Sequence, residues 1–379
     1  MKVLVRGGYG LNNFGDDALM ITMYDHIKEV LKEDEFGFYC TKADYFRELL
    51  PAAKIISSED LFSKLEVDML VYGGGTQFFS FPNTKVKYIP KMNLAKLKYF
   101  FDYKTLKSVV LPRLRGFKKV TGVKAAKTVA IGIGVGPFVK DSVEEKVAMQ
   151  TFQQLDQALV RDVVSYDTCK SWDSKGLFLG SDLCLNSSFV NNYFTKTIPA
   201  INPRVIGIIV RDWKHTDEGH AYYGKLLEAT RIWQNKGYEV KYILFSEERD
   251  PEWLDIIKRE NIEAMIWDAK KYTFKAFIQQ LAKIDIFVTA RFHGAIFAAL
   301  LNKPAVCIEV EQKLKIVSDN FKSFDCWKYP FDVNQVVNYV EQIRTDYAKR
   351  VSLFQADLDR EISRGDKMFA LFRQAIQQL

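Results

Sequence analysis

The sequence predicts an α/β protein with two doubly wound, Rossmann-like domains and a cleft between them. Short runs rich in valine and isoleucine alternate with stretches whose apolar residues recur at helical spacing. This pattern is typical of parallel sheets covered by helices on both faces. The alternation occurs twice, before and after a polar stretch at residues 186–203. At 379 residues the chain is too long for one ordinary domain and long enough for two.

The first series of strands predicts an N-terminal domain over residues 1–190. Its strands include KVLVRGG at 2–8, DMLVYGGG at 68–75 and TVAIGIGVG at 128–136. The amino terminus is therefore predicted to be a first strand, because it lacks the long apolar core and the small-residue cleavage site of a signal peptide.

The second series predicts a C-terminal domain over residues 204–332, followed by a charged helical tail at 333–379. Its strands include RVIGIIV at 204–210 and IDIFVTA at 284–290, with helical stretches between them. Two doubly wound domains joined by a linker form the plan of the GT-B glycosyltransferases. We therefore expect a GT-B-like fold that binds its ligands in the interdomain cleft.

Composition excludes several classes of protein. The five cysteines show neither a CxxC motif nor metal-ligand spacing, so they are expected to be reduced thiols without a disulfide or metal role. The sequence contains no run of about 18 apolar residues, the length that spans a membrane. These features predict a cytoplasmic protein that binds no metal.

Glycine-rich loops follow three strands of the predicted N-terminal domain. Ligands of parallel sheets bind beyond the carboxyl ends of the strands, where glycines let the backbone approach them closely. Each loop alone is equally well explained by a tight turn or by strand–helix packing, and Asp16 is also a candidate helix cap. Together the loops predict a pocket floor with these acceptor or cleft residues: Asn12, Asn13, Asp16, Gly74, Gly75, Gly134 and Gly136.

Three basic side chains follow strands of the predicted C-terminal domain. Arg211 comes directly after its first strand, and Arg291 and His293 lie between a later strand and an apolar helix. Two guanidinium groups at one sheet edge suit a ligand with phosphate and carboxylate groups, and a histidine at a helix start suits proton transfer. Singly, Arg211 is also explained by an ion pair with the adjacent Asp212, and the histidine by a helix cap or a core position. The combination is what predicts a site.

Six motifs occur in order along residues 6 to about 315, and together they resemble the polysaccharide pyruvyl transferase family. They are GGYGLNNFGDDALM at 7–20, DMLVYGGG at 68–75, GVGPF at 134–138, VRDVVSYD at 160–167, RDW at 211–213 and RFHGAIFAA at 291–299. Lys313 matches a later lysine of the family. Gly294 stands where the family usually has alanine, and residues 85–127 match no part of the family's pattern.

The resemblance implies transfer of a pyruvyl group from phosphoenolpyruvate, as a ketal, to a sugar. That sugar would belong to a cell-surface polymer such as an exopolysaccharide or a capsule. The implied roles are donor binding by Arg211, Arg291 and Lys313, catalysis by His293, and a structural ion pair between Arg161 and Asp162. Phosphoenolpyruvate is then a co-substrate, and no metal or further cofactor is expected.

A GT-B glycosyltransferase with a nucleotide-sugar donor is the alternative interpretation, since its two domains follow the same plan. Such enzymes commonly place an acidic side chain on the nucleotide ribose. Glu309 and Glu311 lie at and just after the last predicted strand, at 304–310, and are candidates for that role. The combination of arginines and histidine favours the smaller, dianionic donor.

A basic segment at residues 85–127 contains thirteen lysines and arginines and one acid, Asp102. Large apolar side chains lie among the lysines, as in amphipathic helices that lie on anionic membranes. The pattern equally fits apolar residues packed on the N-terminal domain under solvated lysines. Nucleic-acid binding through its aromatic residues is disfavoured, because the rest of the chain is net acidic. A lipid-linked sugar acceptor would place the protein on the inner face of the cell membrane.

Membrane docking through this segment predicts co-flotation with liposomes. Binding should increase with anionic lipid and decrease with salt, because each basic group near such a surface adds about 1 kcal/mol of attraction. Changing Lys96, Lys98, Lys118 and Lys119 to glutamate should weaken it. A wild-type protein that stays soluble with anionic vesicles at low salt would instead favour a water-soluble acceptor.

Overall fold

A computed structural model describes residues 1–40, 42–56, 65–81, 123–195 and 200–379. In these ranges the chain forms two parallel sheets whose strands alternate with helices, so the predicted α/β class with two Rossmann-like domains is confirmed. The basic segment predicted at 85–127 falls outside the described residues, except that 123–127 begin a strand.

The N-terminal sheet has, among the described residues, seven parallel strands in the order β3-β2-β1-β4-β5-β6-β7. They are β1 (Val3–Arg6), β2 (Phe36–Tyr39), β3 (Ile55–Ile56), β4 (Leu65–Phe78), β5 (Val123–Val135), β6 (Gln157–Val160) and β7 (Leu177–Leu179). The helices described with it are α1 (Phe14–Lys28), α2 (Ala43–Leu49), α3 (Val143–Gln153), α4 (Val163–Ser171) and α5 (Ser187–Tyr193). The order reverses between β1 and β4, so the loops that follow these strands border a crevice.

The C-terminal sheet has six parallel strands in the described chain, in the order β10-β9-β8-β11-β12-β13. They are β8 (Val205–Ile209), β9 (Glu239–Leu244), β10 (Ala264–Ile266), β11 (Ile286–Thr289), β12 (Ala305–Ile308) and β13 (Phe324–Trp327). Its helices are α6 (Asp217–His220), α7 (Tyr222–Asn235), α8 (Pro251–Arg259), α9 (Phe274–Leu281), α10 (Phe292–Leu300) and α11 (Gln312–Asn320). Two further helices, α12 (Val333–Thr345) and α13 (Tyr347–Gln377), end the chain. This sheet reverses between β8 and β11, the strands that precede Arg211 and Arg291.

Three elements differ from the sequence-based expectation. Strands β7 and β13 were not predicted, because their sequences, LFL and FDCW, are not part of a run rich in valine and isoleucine. Part of the polar stretch at 186–203 forms helix α5, whose first turn is capped by Asn186 and whose Phe189 is buried. A capping asparagine followed by one buried aromatic residue holds this short helix in place.

The two domains meet along the start of α1. The amide of Phe14 donates a hydrogen bond to the carbonyl of Phe245, 2.9 Å away. The fully buried Phe14 ring lies 4.5–5.1 Å, centroid to centroid, from five rings of the C-terminal domain. Those rings are Phe245, Trp267, Phe274, Phe277 and Phe297. Stacked, tilted and edge-on contacts of this kind stabilise the interface between the domains beyond the effect of burial alone.

Helix α13 crosses from the C-terminal domain to the N-terminal one. It has 31 residues, so it is roughly 46 Å long. Near its start the hydroxyl of Tyr347 donates to the carbonyl of Asp285 at 3.0 Å, and near its end Arg373 pairs at 3.2 Å with Glu29, the residue directly after α1. In the described part of the chain no helix is both long enough and apolar enough to cross a membrane.

Candidate active site

A cavity of about 250 Å³ lies between the domains, at the carboxyl ends of both sheets. Ten predicted site residues line it: Asn13, Asp16, Gly74, Gly75, Gly134, Gly136, Arg211, Arg291, His293 and Lys313. Asn12 was predicted with them but is not part of the lining. Its backbone takes the left-handed conformation, with φ of 48°, and its side-chain oxygen is buried. The fold therefore brings the predicted residues of both domains together, with that one exception.

In the RDW motif, the first residue lines the cavity and the other two hold its loop in place. Arg211 lines the cavity, and its guanidinium carbon lies 4.9 Å from the centroid of the buried Trp213 ring. Asp212 instead accepts hydrogen bonds from the amides of Glu252 at 2.8 Å and Trp253 at 3.0 Å, in the first turn of α8. Residues 212 and 213 thus fix the loop from which Arg211 extends.

Glu311 joins Arg211 and Lys313 in one charged cluster of the cavity wall. Its carboxylate forms an ion pair with Arg211 and lies 2.8 Å from Nζ of Lys313. Burial alone would raise the pKa of Glu311, but the two cations outweigh it and lower the pKa to about 2. Burial lowers the pKa of Lys313 to about 8, against the opposing effect of Glu311. Lys313 is therefore charged at neutral pH, yet loses its proton more readily than an exposed lysine.

Arg291 forms a buried ion pair with Asp250. Its Nε also donates a hydrogen bond, 3.2 Å long, to the carbonyl of Val210, the residue directly after the neighbouring β8. Asp250 is fully buried and does not line the cavity. A guanidinium fixed at two of its nitrogens is oriented before any ligand arrives.

His293 stands in the first turn of α10 and is enclosed by the N-terminal domain. Its Nε2 lies 3.5 Å from the carboxylate of Asp182, which follows β7. A Cβ at position 15 would lie 2.4 Å from Nδ1 of His293, so only glycine fits at this point of α1. Burial alone would raise the pKa of Asp182, but His293 and Arg161 outweigh it and hold the pKa below its usual value. Sequence reasoning missed Asp182 because β7, the strand before it, was itself not predicted.

Arg161 lines the cavity as well as forming the predicted ion pair. Its Nε lies 3.4 Å from the carboxylate of Asp162, which is the ion pair that the family resemblance implies. Its guanidinium carbon also lies 4.1 Å from the centroid of the Phe292 ring, a cation–π contact across the domain boundary. Asp182 and Arg161 of the N-terminal domain therefore both contact the segment Phe292–His293 of the other domain.

The glycine-rich loops of the N-terminal domain add polar groups to the cavity. The prediction that Asp16 caps α1 is wrong, because the helix begins directly after Asn13, which occupies the cap position. Asp16 instead accepts a hydrogen bond from Asn13 at 2.7 Å and pairs with Arg249 of the C-terminal domain at 3.2 Å. Gly74 and Gly75 have φ of 67° and 75°, values that favour glycine.

These groups together can bind a small ligand that carries two anionic groups and can move a proton beside it. Arg211, Arg291 and Lys313 supply positive charge, and the imidazole of His293 is a group of the kind that can transfer a proton. Of the residues that the structure describes, no group of three or more His, Cys, Asp and Glu side chains is arranged to hold a metal ion.

A model of the family described as polysaccharide pyruvyl transferase matches residues 13–312. The chain belongs to this family. The resemblance inferred from the motifs is thereby confirmed, and the match includes Arg211, Arg291 and His293 and ends one residue before Lys313. A comparison with curated protein sequences finds no match.

Solved structures show where the fold of this pyruvyl transferase family member recurs. UDP-GlcNAc 2-epimerase from Neisseria meningitidis, bound to UDP-GlcNAc, is similar over 100% of both chains with a TM-score of 0.58 and 10% identity. HepE of Anabaena, in complex with UDP, is similar over 100% of both chains with a TM-score of 0.57 and 14% identity. At these identities the likeness concerns the fold alone, and it confirms the GT-B-like arrangement of the two domains.

Proposed function

We propose that this member of the family transfers a pyruvyl group from phosphoenolpyruvate, as a cyclic ketal, to a sugar of a polysaccharide precursor. The observation that carries the proposal is the placement of Arg211, Arg291 and His293 around one cavity, on neighbouring loops of the C-terminal sheet. This grouping supplies two fixed cations and a proton carrier, which are what the donor's chemistry needs.

The donor presents a phosphate and a carboxylate that are separated by only a few bonds. Arg211 and Arg291 suit these two groups because each guanidinium can donate two parallel hydrogen bonds to an anion. Lys313 adds a compact third charge at the same wall. Since the pKa of Lys313 is about 8, its contribution to donor binding should be present at neutral pH and decline above that value.

The reaction begins with a proton added to the methylene carbon of phosphoenolpyruvate, which becomes a methyl group. The adjacent carbon turns electrophilic, and one sugar hydroxyl adds to it. Phosphate then leaves with the C–O bond electrons, and a second sugar hydroxyl closes the ketal. Of the two hydroxyl protons released, one balances the proton used at the start and the other departs with hydrogen phosphate. The reaction so written needs no redox cofactor.

His293 is the group that we assign to these proton transfers. Its imidazole gives the proton to the methylene carbon and then, once neutral, accepts a proton from an attacking hydroxyl. Asp182 acts through His293: a buried carboxylate at 3.5 Å stabilises the protonated ring and fixes which nitrogen faces it. Asp182 is thus a positioning residue in this proposal.

The acceptor is assigned to the N-terminal side of the cavity. Asn13, Asp16 and the glycine loops line that side, and amide and carboxylate groups suit sugar hydroxyls. A lipid-linked acceptor, docked through the basic segment at 85–127 at an anionic membrane, is the finer form of this proposal. It rests on the charge of that segment alone.

A nucleotide-sugar donor is the second candidate, because HepE and the epimerase hold UDP or UDP-GlcNAc in the same fold. The glutamates that would bind a ribose do not favour it. Glu311 is engaged by Arg211 and Lys313, and Glu309 lies outside the cavity lining, 3.5 Å from the Cys326 sulfur. Calorimetric titration with phosphoenolpyruvate and with UDP-sugars separates the two candidates.

The donor assignment predicts that Arg211→Ala and Arg291→Ala each weaken phosphoenolpyruvate binding by about tenfold or more, the effect of losing a charge-assisted pair. Titration calorimetry measures this directly. Arg231→Ala, which removes an exposed arginine that is not part of the cavity lining, is the matched control and should bind normally. Unchanged phosphoenolpyruvate binding in both cavity variants would show that these arginines do not bind the donor.

The proton-transfer assignment predicts that His293→Gln lowers kcat by about a hundredfold or more while phosphoenolpyruvate still binds. Asp182→Asn, which can keep the acceptor for the Cys184 amide at 3.1 Å, should lower kcat less and move the pH–rate profile. A loss of donor binding with normal turnover at saturation would make His293 a ligand only.

A further inference from the structure

The anion-binding wall of the cavity already contains a carboxylate of the chain itself. Glu311 lines the cavity, and its carboxylate contacts both Arg211 and Lys313, two of the cations assigned to the donor. Its side chain is only 6% exposed. A bound anion and Glu311 would therefore have to share the same two cations.

Glu311 differs in position from the carboxylate that pairs with Arg291, the other arginine assigned to the donor. Asp250 pairs with Arg291 but does not line the cavity, so it leaves the cavity side of that guanidinium to a ligand. Asp16 and Asp162 do line the cavity, but they pair with Arg249 and Arg161, to which no donor role is assigned. Among these four carboxylates, only Glu311 both lines the cavity and pairs with the cations assigned to the donor.

The Glu311 side chain does not take part in the start of α11. Glu311 is the residue before α11, with an extended backbone at φ of −152° and ψ of 155°, and its side chain makes no capping hydrogen bond to the helix. A rotation of the side chain would therefore break its ion pairs without disturbing the start of α11. The ion pairs with Arg211 and Lys313 are what hold it in the cavity.

We propose that Glu311 is an internal competitor of the anionic donor, seated between Arg211 and Lys313 until the donor displaces it. This inference rests on the proposed function only in taking the ligand to be anionic. A ligand with a second anionic group can engage Arg291 at the same time and so outcompete the carboxylate. A ligand with a single anionic group can replace Glu311 beside Arg211 and Lys313 but forms no additional contact with Arg291. Glu311 therefore makes the site selective for ligands with two anionic groups.

The test compares the wild type with Glu311→Gln, a substitution that keeps the shape and removes the charge. Titration calorimetry with phosphoenolpyruvate and, separately, with inorganic phosphate should show tighter binding of the donor by about tenfold or more. Phosphate, excluded from the wild type, should bind the variant measurably. Glu247→Gln, which removes the same charge at an exposed position outside the cavity lining, should change neither affinity.

Weaker or unchanged binding of both ligands by a folded Glu311→Gln variant would overturn the inference. That result would make Glu311 a support that orients Arg211 and keeps Lys313 protonated. Thermal unfolding checks that the variant is folded: its Tm should lie near that of the wild type. If phosphoenolpyruvate fails to bind either protein while phosphate binding is gained, the inference stands and the proposed donor falls.

Discussion

The ring of Phe14 is inserted among five aromatic side chains of the C-terminal domain, and this contact fixes where α1 enters the cleft. Burial of such a ring contributes about 1.5 to 3 kcal/mol. The next residue, Gly15, is pressed against His293, and Asp16 reaches Arg249. The site is consequently shared between domains, since His293 belongs to one and its neighbours Gly15 and Asp182 to the other.

Buried ion pairs give the cavity its geometry more than its stability. Removing charges from water offsets much of the attraction between them, so a pair such as Arg291–Asp250 contributes little net free energy of folding. It does hold a guanidinium in one orientation before a ligand arrives, which is where preorganised charges are most effective in catalysis. Glu311 differs from Asp250 in this respect, because the carboxylate that pairs with Arg211 itself lines the cavity. An ion pair with a carboxylate thus orients Arg291 for a ligand, whereas at Arg211 the carboxylate occupies the place where a ligand would bind.

The sequence was sufficient for the fold and for most of the cavity, because both follow from local patterns. Long apolar runs mark strands such as β4 and β5, and residues directly after strands, such as Arg211 and Arg291, must meet at one edge of a parallel sheet. Contacts between segments that are distant in the chain could not be predicted from the sequence, because they depend on how those segments pack. Asp182 and His293 are 111 positions apart in the chain, and nothing near either residue signals the other. Glu311 was considered only as a ribose ligand, since its pairing with Arg211 depends on how the loops after β8 and β12 approach each other.

Mass spectrometry of lipid-linked and nucleotide-linked glycans, after incubation with the protein and phosphoenolpyruvate, shows whether a pyruvyl ketal is formed. If the proposed function is right, one acceptor gains the mass of a single pyruvyl ketal, with one inorganic phosphate released per ketal, and both products form more slowly, by about a hundredfold or more, with His293→Gln. Transfer of a sugar from a nucleotide-sugar, with no pyruvyl gain on any acceptor, would contradict it.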